Sequence, residues 1–152
     1  MKKSLVMMIS ILLLTLTGCA GGSESELEGK TLGLSMYNPT VSKEEAEAAE
    51  FKFSSNTPVF DFESSKDVTF SLNGSTYKGE YTLEDEHLSI TVEDWDASMS
   101  IDFDEFKASE EEYASYSGTV SDGELDEGDE TTQLTNAYRN FGLDEHYLFL
   151  EE

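Results

Sequence analysis

The stretch Val68-Thr69-Phe70-Ser71-Leu72-Asn73-Gly74-Ser75-Thr76-Tyr77-Lys78-Gly79-Glu80-Tyr81-Thr82-Leu83 decides the fold. Val68, Phe70 and Leu72 alternate with Thr69 and Ser71, and Tyr77, Gly79, Tyr81 and Leu83 alternate with Lys78, Glu80 and Thr82. A period of two sets one face on a core and the other in water, as in a half-buried antiparallel strand. Asn-Gly between the two runs tolerates positive φ at both central positions of a tight turn, the geometry that matches the twist of paired strands. The stretch predicts a hairpin.

The same alternation extends to both sides. Phe60 and Phe62 flank Asp61; Leu88, Ile90 and Val92 follow the hairpin, then Met99, Ile101 and Phe103. Further strands are expected at 31–36, 50–54, 113–120 and 146–151, with turn residues between them. Short strands at this spacing predict a mainly β fold, a single antiparallel up-and-down barrel or a sandwich. Two short helices interrupt it. Ser42-Lys43-Glu44-Glu45 fits a capping box opening a helix toward Glu50. Leu134, Ala137, Tyr138 and Phe141 recur at helical spacing, with Gly142 as the expected C-cap.

The chain of 152 residues carries 33 Asp plus Glu against nine Lys plus Arg, a formal charge of −24. That excess of carboxylates excludes binding to a phosphate backbone, which takes clustered basic residues. A single cysteine excludes a disulfide framework or a cysteine zinc site. Leu, Ile, Val and Phe make up 27 of the residues from 19 onward, near the edge of disorder for so charged a chain. Seventeen aromatics, each able to bury about 150–250 Å², and their alternating placement argue for a folded domain.

Lys2 and Lys3 precede a run of 12 largely apolar residues, Leu5 to Leu16. About 20 residues are needed to span a bilayer as a helix, so the run reads as an export signal. Leu16-Thr17-Gly18-Cys19 follows, and this order resembles the lipobox of bacterial lipoproteins. The resemblance implies cleavage after residue 18, a diacylated Cys19, and a mature chain of seven basic and 33 acidic residues, charge −26. It also implies an extracytoplasmic protein anchored to the cell membrane, or to the outer membrane in a diderm host, because Ala20 replaces the aspartate of the inner-membrane retention signal. Two acyl chains give stable anchoring where one is marginal. The expected organisation is a signal peptide at 1–18, a lipidated tether at 19–29 and a β domain at 30–152. The Gly- and Ser-containing tether spans about 16–19 Å root-mean-square over ten residues.

Within the domain, Ser42-Lys43-Glu44-Glu45-Ala46, then Phe51-Lys52-Phe53-Ser54, Val68-Thr69-Phe70, Tyr77-Lys78-Gly79-Glu80-Tyr81-Thr82-Leu83 and Leu88-Ser89-Ile90-Thr91 resemble small lipocalin-like lipoproteins. The resemblance covers about residues 42–92. It implies an up-and-down barrel whose interior holds a small apolar ligand, and it brings no catalytic residue.

Few residue constellations point to chemistry. Asp122, Glu124 and Asp126 mimic the first ligands of an EF-hand loop, but Glu127 stands where its glycine belongs and Gln133 where its final glutamate belongs. They are weak calcium candidates in what reads as a solvated acidic loop. Asp102 and Asp104 share one strand face, and Asp94 and Asp96 bracket Trp95; with 33 carboxylates such pairs arise by chance, and the expected role is an exposed face. His87 and His146 stand apart without a ligand spacing and read as surface histidines. No Gly-x-Ser-x-Gly elbow and no phosphate loop occurs. Trp95 is either a core plug or an exposed contact, and the core is expected because large aromatics are buried on average.

The functional expectation is a non-catalytic, lipid-anchored binding module for a small apolar ligand or an envelope component, needing no cofactor. The alternative is an acidic inhibitor or decoy for a cationic protein; a calcium-binding lipoprotein or a barrel enzyme ranks below both. Room inside the barrel favours the first, a negative patch around an exposed aromatic the second, and converging polar groups in a cleft the enzyme.

Overall fold

The computed structural model describes residues 25–36, 53–128 and 133–152. Eight strands form a closed barrel: β1 (Thr31–Met36), β2 (Val59–Phe62), β3 (Asp67–Leu72), β4 (Ser75–Glu84), β5 (His87–Asp94), β6 (Ala97–Ala108), β7 (Tyr116–Asp126) and β8 (His146–Glu151). Each strand pairs antiparallel with its sequence neighbours, and β1 pairs with β8 to close the ring. This is an up-and-down barrel, compatible with lipocalin-like architecture, and closure leaves no sheet edge exposed to a second chain.

The hairpin of 68–83 forms as its sequence requires. Leu72 pairs with Ser75, and Asn73 and Gly74 take φ of 54° and 81° at the two central turn positions. Val68, Phe70 and Leu72 point inward together with Tyr77 and Tyr81 of β4.

Three expectations need correction. The strand expected at 113–120 begins at Tyr116 and runs on to Asp126, because residues 109–115 form a loop and the acidic stretch continues the ladder with β6. The helix expected through Phe141 is confined to α1 (Leu134–Tyr138), and Gly142 is not its cap. Arg139 is the C-cap, and just beyond it the Asn140 side-chain amide donates to the carbonyls of Asn136 and Ala137 at 3.0 and 3.1 Å. Of the strand expected at 50–54, residues 53 and 54 are not in a strand, and 50–52 lie outside the described residues. The helix opening at Ser42, the signal segment and Cys19 also lie outside them.

Rings fill the barrel. Phe60 and Phe70 stack obliquely at 5.0 Å, Phe62 meets the edge of Tyr81 at 4.7 Å, and Phe103 meets Phe149 at 5.2 Å. An eight-stranded barrel is just wide enough either to be filled by side chains or to hold one small ligand. Here both mouths are plugged as well. Leu27, wholly buried, enters from the end where the chain arrives, held by the bond from the Gly29 N–H to the Phe62 carbonyl at 2.7 Å. From the opposite end Phe141 reaches within 6.1–6.4 Å of the rings of Phe60, Phe70, Phe103 and Tyr147.

A second small core lies outside the barrel wall. Leu148 and Leu150 project outward from β8 and are covered by Ala114, Tyr113 and Phe53. The loop 109–115 therefore packs over β8, which is why that strand is buried on both faces.

Candidate functional site

An up-and-down barrel sorts its turns between two ends. The entry end carries residues 25–30 and the turns at 63–66, 85–86 and 109–115; the far end carries the turns at 73–74 and 95–96 and the β7–β8 connection with α1.

At the entry end lies an open groove of about 520 Å³, lined by Glu26, Asp85, Glu86, Phe106, Lys107, Tyr116 and Glu151 among others. Phe106 reaches it through a β-bulge: the β6–β7 register shifts between Asp104 and Lys107, with Glu105 at φ 53°. The extra residue returns the next side chain to the inside, and Phe106 stacks on Tyr116 at 5.1 Å. Lys30 donates to both carboxylate oxygens of Glu151 at 2.9 and 3.1 Å and stands 6.0 Å from the centre of the Tyr116 ring. The hydrogen bond to Lys30 holds the Glu151 carboxyl below its ordinary range, and the same bond raises the Lys30 ammonium. Desolvation raises the Tyr116 phenol.

At the far end the β5–β6 hairpin turns through Trp95 and Asp96, closed by the Asp94–Ala97 pair. Trp95 is 98% exposed. The expectation of a core tryptophan is overturned. The alternation pauses at 94–96 because the chain reverses there, and a residue at the tip of a two-residue turn has no interior to enter. Trp95 takes φ 61°, a region that bulky residues rarely adopt.

The other singled-out residues fall on the barrel exterior. Asp122, Glu124 and Asp126 are alternate outward residues of β7, all exposed. They occupy a strand and not the expected loop, so neighbouring carboxylates sit about 6.6–6.8 Å apart along the chain and point in parallel instead of converging. Among the described residues no group of three or more His, Cys, Asp or Glu is placed to hold a metal ion. Asp102 faces Asp122 across the ladder, and its Oδ1 is buried without a hydrogen-bond partner. Asp104 bonds His87 Nδ1 at 2.6 Å, and His146 Nδ1 bonds Thr119 Oγ1 at 3.1 Å. The two histidines thus serve separate strand pairs.

Sequence reasoning missed Phe106 and the entry-end groove. The local signal was the Phe103-Asp104-Glu105-Phe106 spacing, where an apolar residue falls out of phase with the alternation by one position, as at a bulge. The chain matches no family model, no curated protein and no solved structure.

Proposed function

We propose that the protein is a non-catalytic binding domain held outside the cytoplasm by acyl chains on Cys19, and that it engages a cationic partner through its exterior. The observation that carries this reading is the filled barrel axis, where the space a small apolar ligand would need is taken by Phe60, Phe62, Phe70, Phe103 and Phe149 with Leu27 and Phe141 as plugs. The binding module expected from the sequence is kept, and its ligand is moved from the inside to the surface. Any kinship with lipocalin-like lipoproteins is then one of architecture, without their ligand chamber.

Charge supports the choice of partner. A domain of −26 after cleavage at Cys19 creates a negative field that steers cationic molecules to it and repels anionic ones. The order of Lys2, Lys3, the apolar run and Leu16-Thr17-Gly18-Cys19 supports export and acylation. Five residues lie between Cys19 and Ser25, so six Cα-to-Cα steps join them, at most about 20–22 Å of extended chain. The entry end would then face the lipid and the far end, with Trp95, would face outward.

The test is calorimetric titration of the purified protein with an oligo-lysine peptide at about 0.15 M ionic strength. Saturable binding that weakens as sodium chloride is raised is expected. No saturable binding at that ionic strength would overturn the reading.

A further inference from the structure

We infer that the hairpin tip Asp94-Trp95-Asp96 is a receptor for arginine side chains on the cationic partner. The inference rests on the proposed function for the existence of that partner; it adds the residue that makes contact and the chemistry it selects.

Trp95 sits where neither burial nor backbone preference would put it. It is the only tryptophan of the chain, yet it is 98% exposed, forgoing the burial that large aromatics ordinarily gain. Its φ of 61° falls at the first central position of a two-residue turn, where positive φ favours glycine or asparagine. The chain supplies such residues at the neighbouring far-end hairpin turn, Asn73-Gly74. Two separate features thus oppose a tryptophan at this position, and a residue kept in a sparsely populated backbone region points to a functional reason.

The tip is also preorganised. Asp94 pairs with Ala97, which is buried, so the strands are anchored up to the turn itself. From the other side Gly128 lies against Asp96 so closely that a Cβ there would come within 2.7 Å of the Asp96 carboxyl carbon. A contact residue on a fixed tip loses little freedom on binding.

The flanking charges decide which cation fits. Asp94, half-buried, and Asp96, exposed, flank Trp95 in the chain, and Asp126, opposite Ser98, and Glu127 add to the negative field; the nearest basic residue in the ladder, Lys78, lies opposite Glu93. A guanidinium is flat and weakly hydrated. It can stack on an indole face while its N–H groups pair with carboxylates at the edge. A lysine ammonium is a compact, strongly hydrated point charge that gains the field but not the stack.

The test uses the protein in nonionic detergent, titrated with oligo-arginine and oligo-lysine peptides of equal length at about 0.15 M ionic strength. Calorimetry gives the affinities, and the fluorescence of the sole tryptophan reports contact directly. The arginine peptide should bind roughly 2–5-fold tighter and alter the Trp95 emission, a preference of the size a cation stacked at an exposed site supplies. Trp95→Gly should abolish the preference and melt no lower than the wild type. Asp94→Asn with Asp96→Asn should weaken it. Equal affinities with unchanged emission would overturn the inference and leave the cationic-partner reading standing. Binding of neither peptide would overturn both. A Trp95→Gly protein that keeps the preference, or that melts well below the wild type, would overturn the inference alone.

Discussion

The Tyr147 hydroxyl ties the plug segment to the barrel. It accepts the Gly142 N–H at 2.9 Å and faces the Asn140 carbonyl at 2.9 Å and Glu145 Oε2 at 2.8 Å as a donor. Its ring is buried among Phe103 and Phe141. Tyr147→Phe keeps the ring and strands the Gly142 N–H, so it should destabilise the fold by about 1–3 kcal/mol in urea denaturation. Burial pushes the Tyr147 phenol up to about 12. The unfolded chain releases this proton near its ordinary value of 10.0 and the folded chain does not, so the Tyr147 contribution to stability is constant below that pH and is lost between 10 and about 12. The Tyr147→Phe variant should lose that part of the alkaline slope. Gly74 gives a second check on the residue scale. Open space surrounds it, so replacement by Val meets no clash; its φ of 81° alone opposes a β-branched residue. Gly74→Val should cost about 1–3 kcal/mol through backbone strain.

The elements differ in how plainly the sequence announces them. The strand at 31–36 and the hairpins from Phe60 to Phe103 were legible because apolar and polar residues alternate within each strand and Asn-Gly marks the turn at 73–74. The end of β7 was not, because Asp122-Gly123-Glu124-Leu125-Asp126 is poor in β-forming residues and is held in the ladder by β6 and by Tyr138, whose hydroxyl donates to the Gly123 carbonyl at 2.9 Å. The length of α1 was overread because Phe141 continues the helical spacing while serving as a plug. Of the candidate site, the carboxylates around Trp95 were visible in the sequence. The exposure of Trp95 was not, since a pause in the alternation signals a turn only once the pairing of Asp94 with Ala97 is known. The extended course of β7 also carries a prediction about calcium. Asp122, Glu124 and Asp126 point outward in parallel, so calcium should raise the melting temperature no more than sodium chloride of equal ionic strength. A saturable rise of several degrees at micromolar calcium would show that the carboxylates converge after all.

The whole molecule balances an aromatic interior against a surface that repels itself. With 33 acidic and nine basic residues, most charges lack an opposite partner, and screening over about 8–10 Å at physiological salt relieves part of the repulsion. Thermal stability should therefore rise with added sodium chloride while binding of cationic probes falls. The same change in salt thus strengthens the fold and weakens the function, as expected where one field governs both. The central claim is that the barrel is filled and acts from its exterior. Its most direct test is fluorescence titration with N-phenyl-1-naphthylamine, a neutral apolar dye that the negative field does not repel. The account predicts no saturable enhancement, because the rings of Phe60, Phe62, Phe70, Phe103 and Phe141 already occupy the axis. Saturable binding of one dye molecule per barrel would contradict it and return the ligand to the interior.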